Sequence, residues 1–321
     1  MIELTIDADA AGKRLDRYLA GRFEDLGVGR INSQLRRRGI TVNRKKVHAD
    51  HRLEQGDVVR LYCEAVPRRI AGETIEEYRA AYRGLNESIG ILYEDADVLI
   101  ADKAAGVLSQ RARPSDMSVN EWLIGLLLER GELRADTLGT FRPGVCNRLD
   151  RNTSGCIICS KTLAGARGMS TLISKGQVGK FYSALVYGDV RTPGELNGSL
   201  VKDAHTNTVT VDAGEAVLQD GARKVRLTYR PVAHMSGMTL LEVRLHTGKT
   251  HQIRAQLSAA GYPIVGDPKY GDRERDRGRV RGQRLHCTRL VFPEDKSLGE
   301  LMGREIVSPI PISWGVEVRA I

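Results

Sequence analysis

Cys146-Asn147-Arg148-Leu149-Asp150-Arg151-Asn152-Thr153-Ser154-Gly155 is the stretch from which the rest of the chain is read. One carboxylate, Asp150, stands between two arginines, and the turn-forming residues 152–155 follow it. The apolar run Cys156-Ile157-Ile158-Cys159 then predicts a short buried strand. An acid held among guanidinium groups at a loop–strand junction can serve as a nucleophile or base kept ionised by its neighbours. It can equally be a surface salt-bridge cluster, and the stretch alone does not separate the two.

Composition narrows the setting. The chain has 321 residues, 41% hydrophobic and 28% charged, with a formal net charge of +9, which favours polyanionic partners such as nucleic acid or an anionic membrane. No run of about 18 apolar residues occurs, so no membrane span is expected. The start, Met1-Ile2-Glu3-Leu4-Thr5-Ile6-Asp7, lacks the basic head and apolar core of a signal peptide. Five cysteines without regular spacing fit reduced thiols, and the expected setting is the cytoplasm. Cys156-x-x-Cys159 has no second pair to complete a zinc site, so it reads as core.

Residues 1–65 read as a separate small unit. Ile2, Leu4 and Ile6 alternate as a strand, and Leu15, Tyr18, Leu19 and Phe23 fall at helical spacing within 12–26. A second helix is expected over 31–38, stopped at Gly39 in the left-handed conformation, followed by strands at 40–43 and 57–62. Arg30, Arg36, Arg37, Arg38, Arg44, Lys45 and Lys46 bracket a helix end and a strand turn with no acid among them, a pattern that can form a phosphate-binding surface. Residues 66–88 read as a polar tether with a turn or more of helix, and 89–321 as a second domain. That domain opens on a hairpin (91–101) and has amphipathic helices over 120–130 and 163–173. A strand is expected at 180–188, and strands follow one another through 198–247, so a large sheet is expected. Gly248-Lys249-Thr250 resembles the end of a P-loop, but the required earlier glycine is absent, Val243 occupying its place. His246 and His251 lack a third ligand, so no metal site is expected.

The run Arg-Leu-Asp-x-x-Thr-Ser-Gly over 148–155 resembles the signature of RluA-type RNA pseudouridine synthases. Further matches follow in order: Lys103-Ala104-Ala105-Gly106, with Ala104 where the family has proline; Lys180-x-Tyr182; Thr247-Gly248-Lys249-Thr250-His251-Gln252-Ile253-Arg254; Pro263 to Gly271; and Arg284-Leu285-His286-Cys287. Asn147 occupies a position where the family often has histidine. Residues 12–62 resemble the ribosomal-protein-S-four-like (alpha-L) RNA-binding module. The resemblance implies an α+β fold, with a large mixed, mostly antiparallel sheet preceded by a small α/β RNA-binding module. It implies isomerisation of uridine to pseudouridine in structured RNA, with uracil detached, turned and rejoined through carbon 5. No cofactor or metal is implied, and a monomer is expected.

The resemblance makes Asp150 the essential aspartate, pairs Arg254 with it and puts Tyr182 in the active site. Asp150 would attack the ribose anomeric carbon, attack uracil carbon 6, or deprotonate the sugar. Arg148 suits the gap left by a flipped base, and Tyr182 offers a flat face and a phenol that accepts or relays the carbon-5 proton. The N-terminal module tilts the target toward large-subunit ribosomal RNA over transfer RNA. A non-catalytic RNA-binding protein is the competing class.

Overall fold

The computed structural model describes residues 1–66, 72–138, 141–203, 208–212, 223–277 and 282–314. The N-terminal unit contains β1 (Ile2–Thr5), α1 (Leu15–Arg22), α2 (Val28–Arg36), β2 (Ile40–Val42) and β3 (Val58–Leu61). Its sheet runs in the order β1-β3-β2. Leu15, Leu19, Ile31, Ile40 and Leu61 are fully buried in a core made only of this unit's residues. Helix α2 ends at Arg36, two residues earlier than expected: Arg38, at φ +60°, is the left-handed residue in place of Gly39, and the Gly39 N–H closes the turn on the Gln34 carbonyl at 2.8 Å. A two-residue turn at Asn43-Arg44, both at positive φ, is closed by paired hydrogen bonds between Val42 and Lys45. Arg44, Lys45 and Lys46 are thereby presented at its exposed tip.

Where a tether was expected, α3 (Gly72–Leu85) is a fourteen-residue helix packed on α4 (Val119–Glu129). Ile75, Tyr78, Tyr82 and Leu85 recur at helical spacing, and Tyr78 and Ala81 are buried. A Cβ at Gly125 of α4 would lie 2.1 Å from the Tyr78 carbonyl, so glycine permits this contact. Residues 67–71 lie outside the described residues.

The remaining elements are β4 (Ile89–Glu94), β5 (Val98–Lys103), β6 (Gly144–Val145), β7 (Ser154–Ser160), α5 (Leu163–Ser174), β8 (Gly179–Tyr187), β9 (Gly194–Asp203), β10 (Thr208–Asp212), β11 (Arg223–Met235), β12 (Met238–Leu245), α6 (Gln252–Ala259), α7 (Arg273–Asp276), β13 (Leu285–Val291) and β14 (Glu305–Val307). Eleven strands join in one sheet whose main path is β10-β9-β11-β12-β8-β13-β7-β5-β4, with β6 on β7 and β14 on β13. All its pairings are antiparallel except β13 with β7, which gives the mixed, mostly antiparallel sheet expected.

Every residue of β7 is buried, as its unbroken apolar run requires at the centre of a sheet. Cys156 and Cys159 are three apart on this strand and so point to opposite faces, each fully buried. The N-terminal unit touches this body where the Asp9 carboxylate accepts from the Leu163 N–H at 2.9 Å, beside the Thr162 side-chain cap of α5. Among the described residues no helix is long and apolar enough to cross a membrane.

Candidate active site

The signature loop lies between β6 and β7, and each of its residues has a physical task. Ser109 brackets Leu149, its hydroxyl donating to the Leu149 carbonyl at 2.7 Å and accepting from the Leu149 N–H at 3.0 Å. One residue beyond Asp150, the Arg151 carbonyl accepts from Lys103 Nζ at 3.1 Å and from the Gly106 N–H at 2.8 Å. Thr153 Oγ1 accepts from Gln283 Nε2 at 2.6 Å, and Ser154 Oγ lies 2.8 Å from His286 Nδ1. Gly155, at φ +103°, lets β7 approach β13, because a Cβ there would meet the Cys287 carbonyl at 2.2 Å. Asn147 closes the loop as an acceptor, its Oδ1 taking the Ile158 N–H at 2.8 Å. Asp150 therefore sits on backbone fixed on both sides.

Neither flanking arginine takes the Asp150 carboxylate, which corrects the reading of the loop as an Arg–Asp–Arg cluster. Its partner is Arg254, on α6, whose Nη1 donates to Asp150 Oδ2 at 2.7 Å. The other edge of the same guanidinium grips Asp267, Nε to Oδ2 at 2.7 Å and Nη2 to Oδ1 at 2.8 Å. Asp267 is buried and also accepts from the Lys269 and Tyr270 N–H groups. Burial alone would raise its carboxyl into the neutral form, but the Arg254 contacts and these two N–H groups outweigh burial and hold it below the usual range. Burial likewise opposes the Arg254 charge, and the two carboxylates outweigh it. Arg254 is thus locked by Asp267 and offers its free edge to Asp150.

His251 enters α6 in the left-handed conformation at φ +55°, with Nε2 at 3.9 Å from Asp150 Oδ2 and Nδ1 at 3.1 Å from the Tyr270 hydroxyl. Burial pushes its imidazole down, opposed first by Asp150, and so favours the neutral ring. Both contacts fall on Oδ2, and Oδ1 has no hydrogen-bond partner among the described residues.

Tyr182, on β8, is 5% exposed and lines the same cleft. Burial first, then Cys287 and Asp150, hold its phenol well above the usual value. This favours the neutral phenol, which takes up a proton only by handing on its own. Arg148 is exposed at the cleft, with no ion pair among the described residues. The cleft encloses about 620 Å³, a volume suited to one nucleotide-sized group.

Of the basic N-terminal residues, Arg30 is occupied within its own unit, donating to the Asp25 carboxylate and the Glu64 carbonyl. Arg36, Arg37, Arg38, Arg44, Lys45 and Lys46 are exposed and form no ion pair among the described residues. In the arginine-rich stretch 272–284, Asp276 is anchored to the Tyr187 hydroxyl and the Gly266 N–H, Gln283 supports the signature loop, and residues 278–281 lie outside the described residues.

A family model for RNA pseudouridylate synthase matches residues 97–259, which span β5 to the end of α6 and include Asp150, Tyr182 and Arg254. The chain belongs to this family. Its members isomerise uridine to pseudouridine in RNA. This synthase is similar to the ribosomal large subunit pseudouridine synthase C of Escherichia coli (strain K12), at 30% identity over 93% of this chain and 90% of that protein. It is also similar to the uncharacterized RNA pseudouridine synthase YlyB of Bacillus subtilis (strain 168), at 28% identity over 97% and 94%. The solved structure of human RNA pseudouridylate synthase domain containing 4 shares the fold, with a TM-score of 0.58 at 20% identity over 75% of this chain and 95% of that one.

Sequence reasoning missed four residues of this synthase's site: Lys103, Ser109, Asp267 and His251 as a neighbour of Asp150. Asp267 left one trace, an acid that follows the apolar Ile264-Val265 after a single glycine, Gly266. Lys103 is fully buried, and its Nζ also donates to the Ala104 and Val107 carbonyls at 3.0 and 2.8 Å. Burial pushes its pKa down to about 7, opposed by Asp150 and Asp102.

Proposed function

We propose that this synthase converts uridines in large-subunit ribosomal RNA, with Asp150 as the reacting carboxylate, Arg254 as its counter-charge, and Tyr182 as the face and proton relay for the base. One observation carries the site reading: Arg254 bonds Asp150 Oδ2 and His251 Nε2 lies 3.9 Å from the same oxygen, while Oδ1 has no hydrogen-bond partner among the described residues and Asp150 lines the cleft. A carboxylate restrained on one oxygen leaves the other available, as attack on the ribose, attack on uracil or sugar deprotonation each requires. The ribosomal substrate rests on the relatives, several of which bear ribosomal large subunit names. The test is incubation with large-subunit ribosomal RNA and with transfer RNA, followed by mapping of pseudouridine. New pseudouridine in the ribosomal RNA is expected. Conversion confined to transfer RNA would move the substrate, and none in either would leave only an RNA-binding role.

The N-terminal unit fits an RNA clamp. Support comes from its own apolar core and from six exposed cations without ion-pair partners among the described residues. Lys45 and Lys46 stand at the Asn43-Arg44 turn tip, where backbone torsions cost about 1 kcal/mol for a residue such as Arg44. Replacing Arg44, Lys45 and Lys46 together by glutamine is expected to weaken RNA binding. The slope of log affinity against log salt should become shallower by about 2–3 units, at roughly 0.7–0.9 per lost phosphate contact. The single-turnover rate at saturating protein should stay within about twofold, since these residues lie outside the cleft. An unchanged salt slope would remove the clamp.

A further inference from the structure

Lys180 stands two residues before Tyr182 on β8, so their side chains share the face turned to the cleft, which both line together with Asp150 and Arg254. It is only 8% exposed, yet it has no hydrogen bond or ion pair among the described residues. Gly248 is a near neighbour, where a Cβ would come to 3.5 Å from Nζ, an ordinary van der Waals contact. Lys103 shows what a buried lysine of this protein does when its role is internal: three carbonyls receive its three N–H donors. The Lys180 ammonium is not among the sealed, unpartnered polar atoms of the described residues, so in the free protein it faces the cleft and is open to a partner that enters there. Burial lowers the Lys180 pKa, opposed only by Cys287, in keeping with an ammonium that lacks a counter-charge in the free protein.

What completes it follows from depth. The exposed Arg148 and Lys249 stand at the rim, where phosphates can keep their water. The cleft that Lys180 lines is also lined by the buried Leu245, Ile253 and Leu285, walls that suit a flat base. We propose that the Lys180 ammonium binds a carbonyl oxygen of the flipped uracil and stabilises the negative charge that the ring acquires during the reaction. This rests on the function proposed above and holds for each route open to Asp150. In displacement at the anomeric carbon, or in elimination after sugar deprotonation, the C1′–N1 bond breaks and its electron pair passes into the ring, spread over N1, O2 and O4. In addition at carbon 6, the Asp150 oxygen–carbon bond forms and the carbon 5–carbon 6 pair moves to O4. Carbon 5 then bonds to C1′ with the ring's electron pair. In the displacement route this expels the Asp150 carboxylate from C1′, and in the elimination route the sugar regains the proton it gave up. In the addition route C1′–N1 breaks as C1′ moves to carbon 5, and the Asp150 oxygen leaves carbon 6. In each the carbon-5 proton leaves to a base and N1 regains a proton. The sum is an isomerisation that consumes no co-reactant. A fixed cation beside O2 or O4 gains strength as the charge builds, which makes it a catalytic group as well as a binding one.

The experiment uses an RNA that the wild-type protein converts, with single-turnover rate at saturating protein and RNA affinity measured separately. An RNA that the wild type fails to convert would count against the function and not against Lys180. Lys180→Met is expected to lower the maximal rate by about 10²–10³-fold, the scale for loss of one donor to a developing oxyanion. RNA affinity should stay within about threefold. A wild-type rate in that variant overturns the proposal. So does a loss confined to affinity with a salt slope shallower by about 0.7–0.9, which would mean a phosphate contact. Lys180→Arg gives an independent arm that keeps the charge in place. Its guanidinium does not titrate in the working range, so the basic limb of the rate profile should move to higher pH than in the wild type. The same basic limb in both proteins would equally overturn the proposal.

Discussion

Asp150→Asn is expected to abolish turnover, by more than about a thousandfold, while RNA affinity stays within about threefold. Asparagine keeps the volume of the side chain and still offers Arg254 an acceptor at the position of Oδ2. It supplies neither a nucleophilic carboxylate nor a base, so any of the three routes stops. A thousandfold is about 4 kcal/mol of transition-state free energy, far more than one hydrogen bond accounts for. The fold should barely respond. The Asp150 side chain is 26% exposed, and Arg254 keeps both bonds to Asp267, so the change in unfolding free energy should not exceed about 1 kcal/mol. The measurement is single-turnover pseudouridine formation beside RNA binding and a thermal melt. Product at even about a hundredth of the wild-type rate would take the essential role away from Asp150.

The parts of the site legible in the sequence are those carried by contiguous residues. Asp150 and its signature could be read because Thr153, Ser154 and Gly155 each satisfy a demand at one strand start: a bond to Gln283, a bond to His286, and passage past Cys287. The Tyr182 strand was legible in the run 180–188, and the two-residue period of any strand places Lys180 on the same face as Tyr182. Arg254 was reached by resemblance alone, because nothing in spacing brings residues 150 and 254 together.

What stayed hidden depends on tertiary pairing. Arg30 looked no different in sequence from Arg36 or Lys45, yet only Arg30 finds Asp25 and the Glu64 carbonyl. Gly39 was the residue suited to end α2, yet Arg38 takes the left-handed turn, at a local cost that tertiary structure can impose on a non-glycine residue. The tether misread at 66–88 had its signal in Ile75, Tyr78, Tyr82 and Leu85. Charged residues between them hid a face whose partner, Gly125, lies forty residues on from Leu85.

Arg254→Met tests whether the guanidinium is the hinge of the site. Methionine matches the stem's volume but leaves Asp267 fully buried, with two backbone N–H groups and no counter-charge. Removing one partner of a buried ion pair costs about 3–5 kcal/mol, and that loss of unfolding free energy is expected near neutral pH. The cost should depend on pH with a definite sign. In the wild type the Asp267 carboxyl lies below its ordinary value, so its stabilisation is present above the unfolded pKa and is lost as pH falls through the folded one. In the variant the opposing effect of burial is left dominant, and the folded pKa rises above the unfolded value. Protonation then relieves the variant on acidification, and its deficit against wild type should shrink between about pH 7 and pH 4. Asp267→Asn combined with Arg254→Met removes both buried charges and should recover part of the stability that the single variant loses, a non-additivity expected of groups in direct contact. Activity should not recover, because Asp150 has lost its counter-charge whichever residue occupies position 267; both variants should fall at least about a hundredfold in single-turnover rate. Denaturant unfolding of the wild type, the single variants Arg254→Met and Asp267→Asn and the double variant at two pH values, together with their rates, checks both halves. A deficit that is constant with pH, or a double variant as unstable as the sum of its parts, would mean that Arg254 stabilises the fold through its packing on the Tyr270 ring, 5.1 Å away, and not through its two carboxylates.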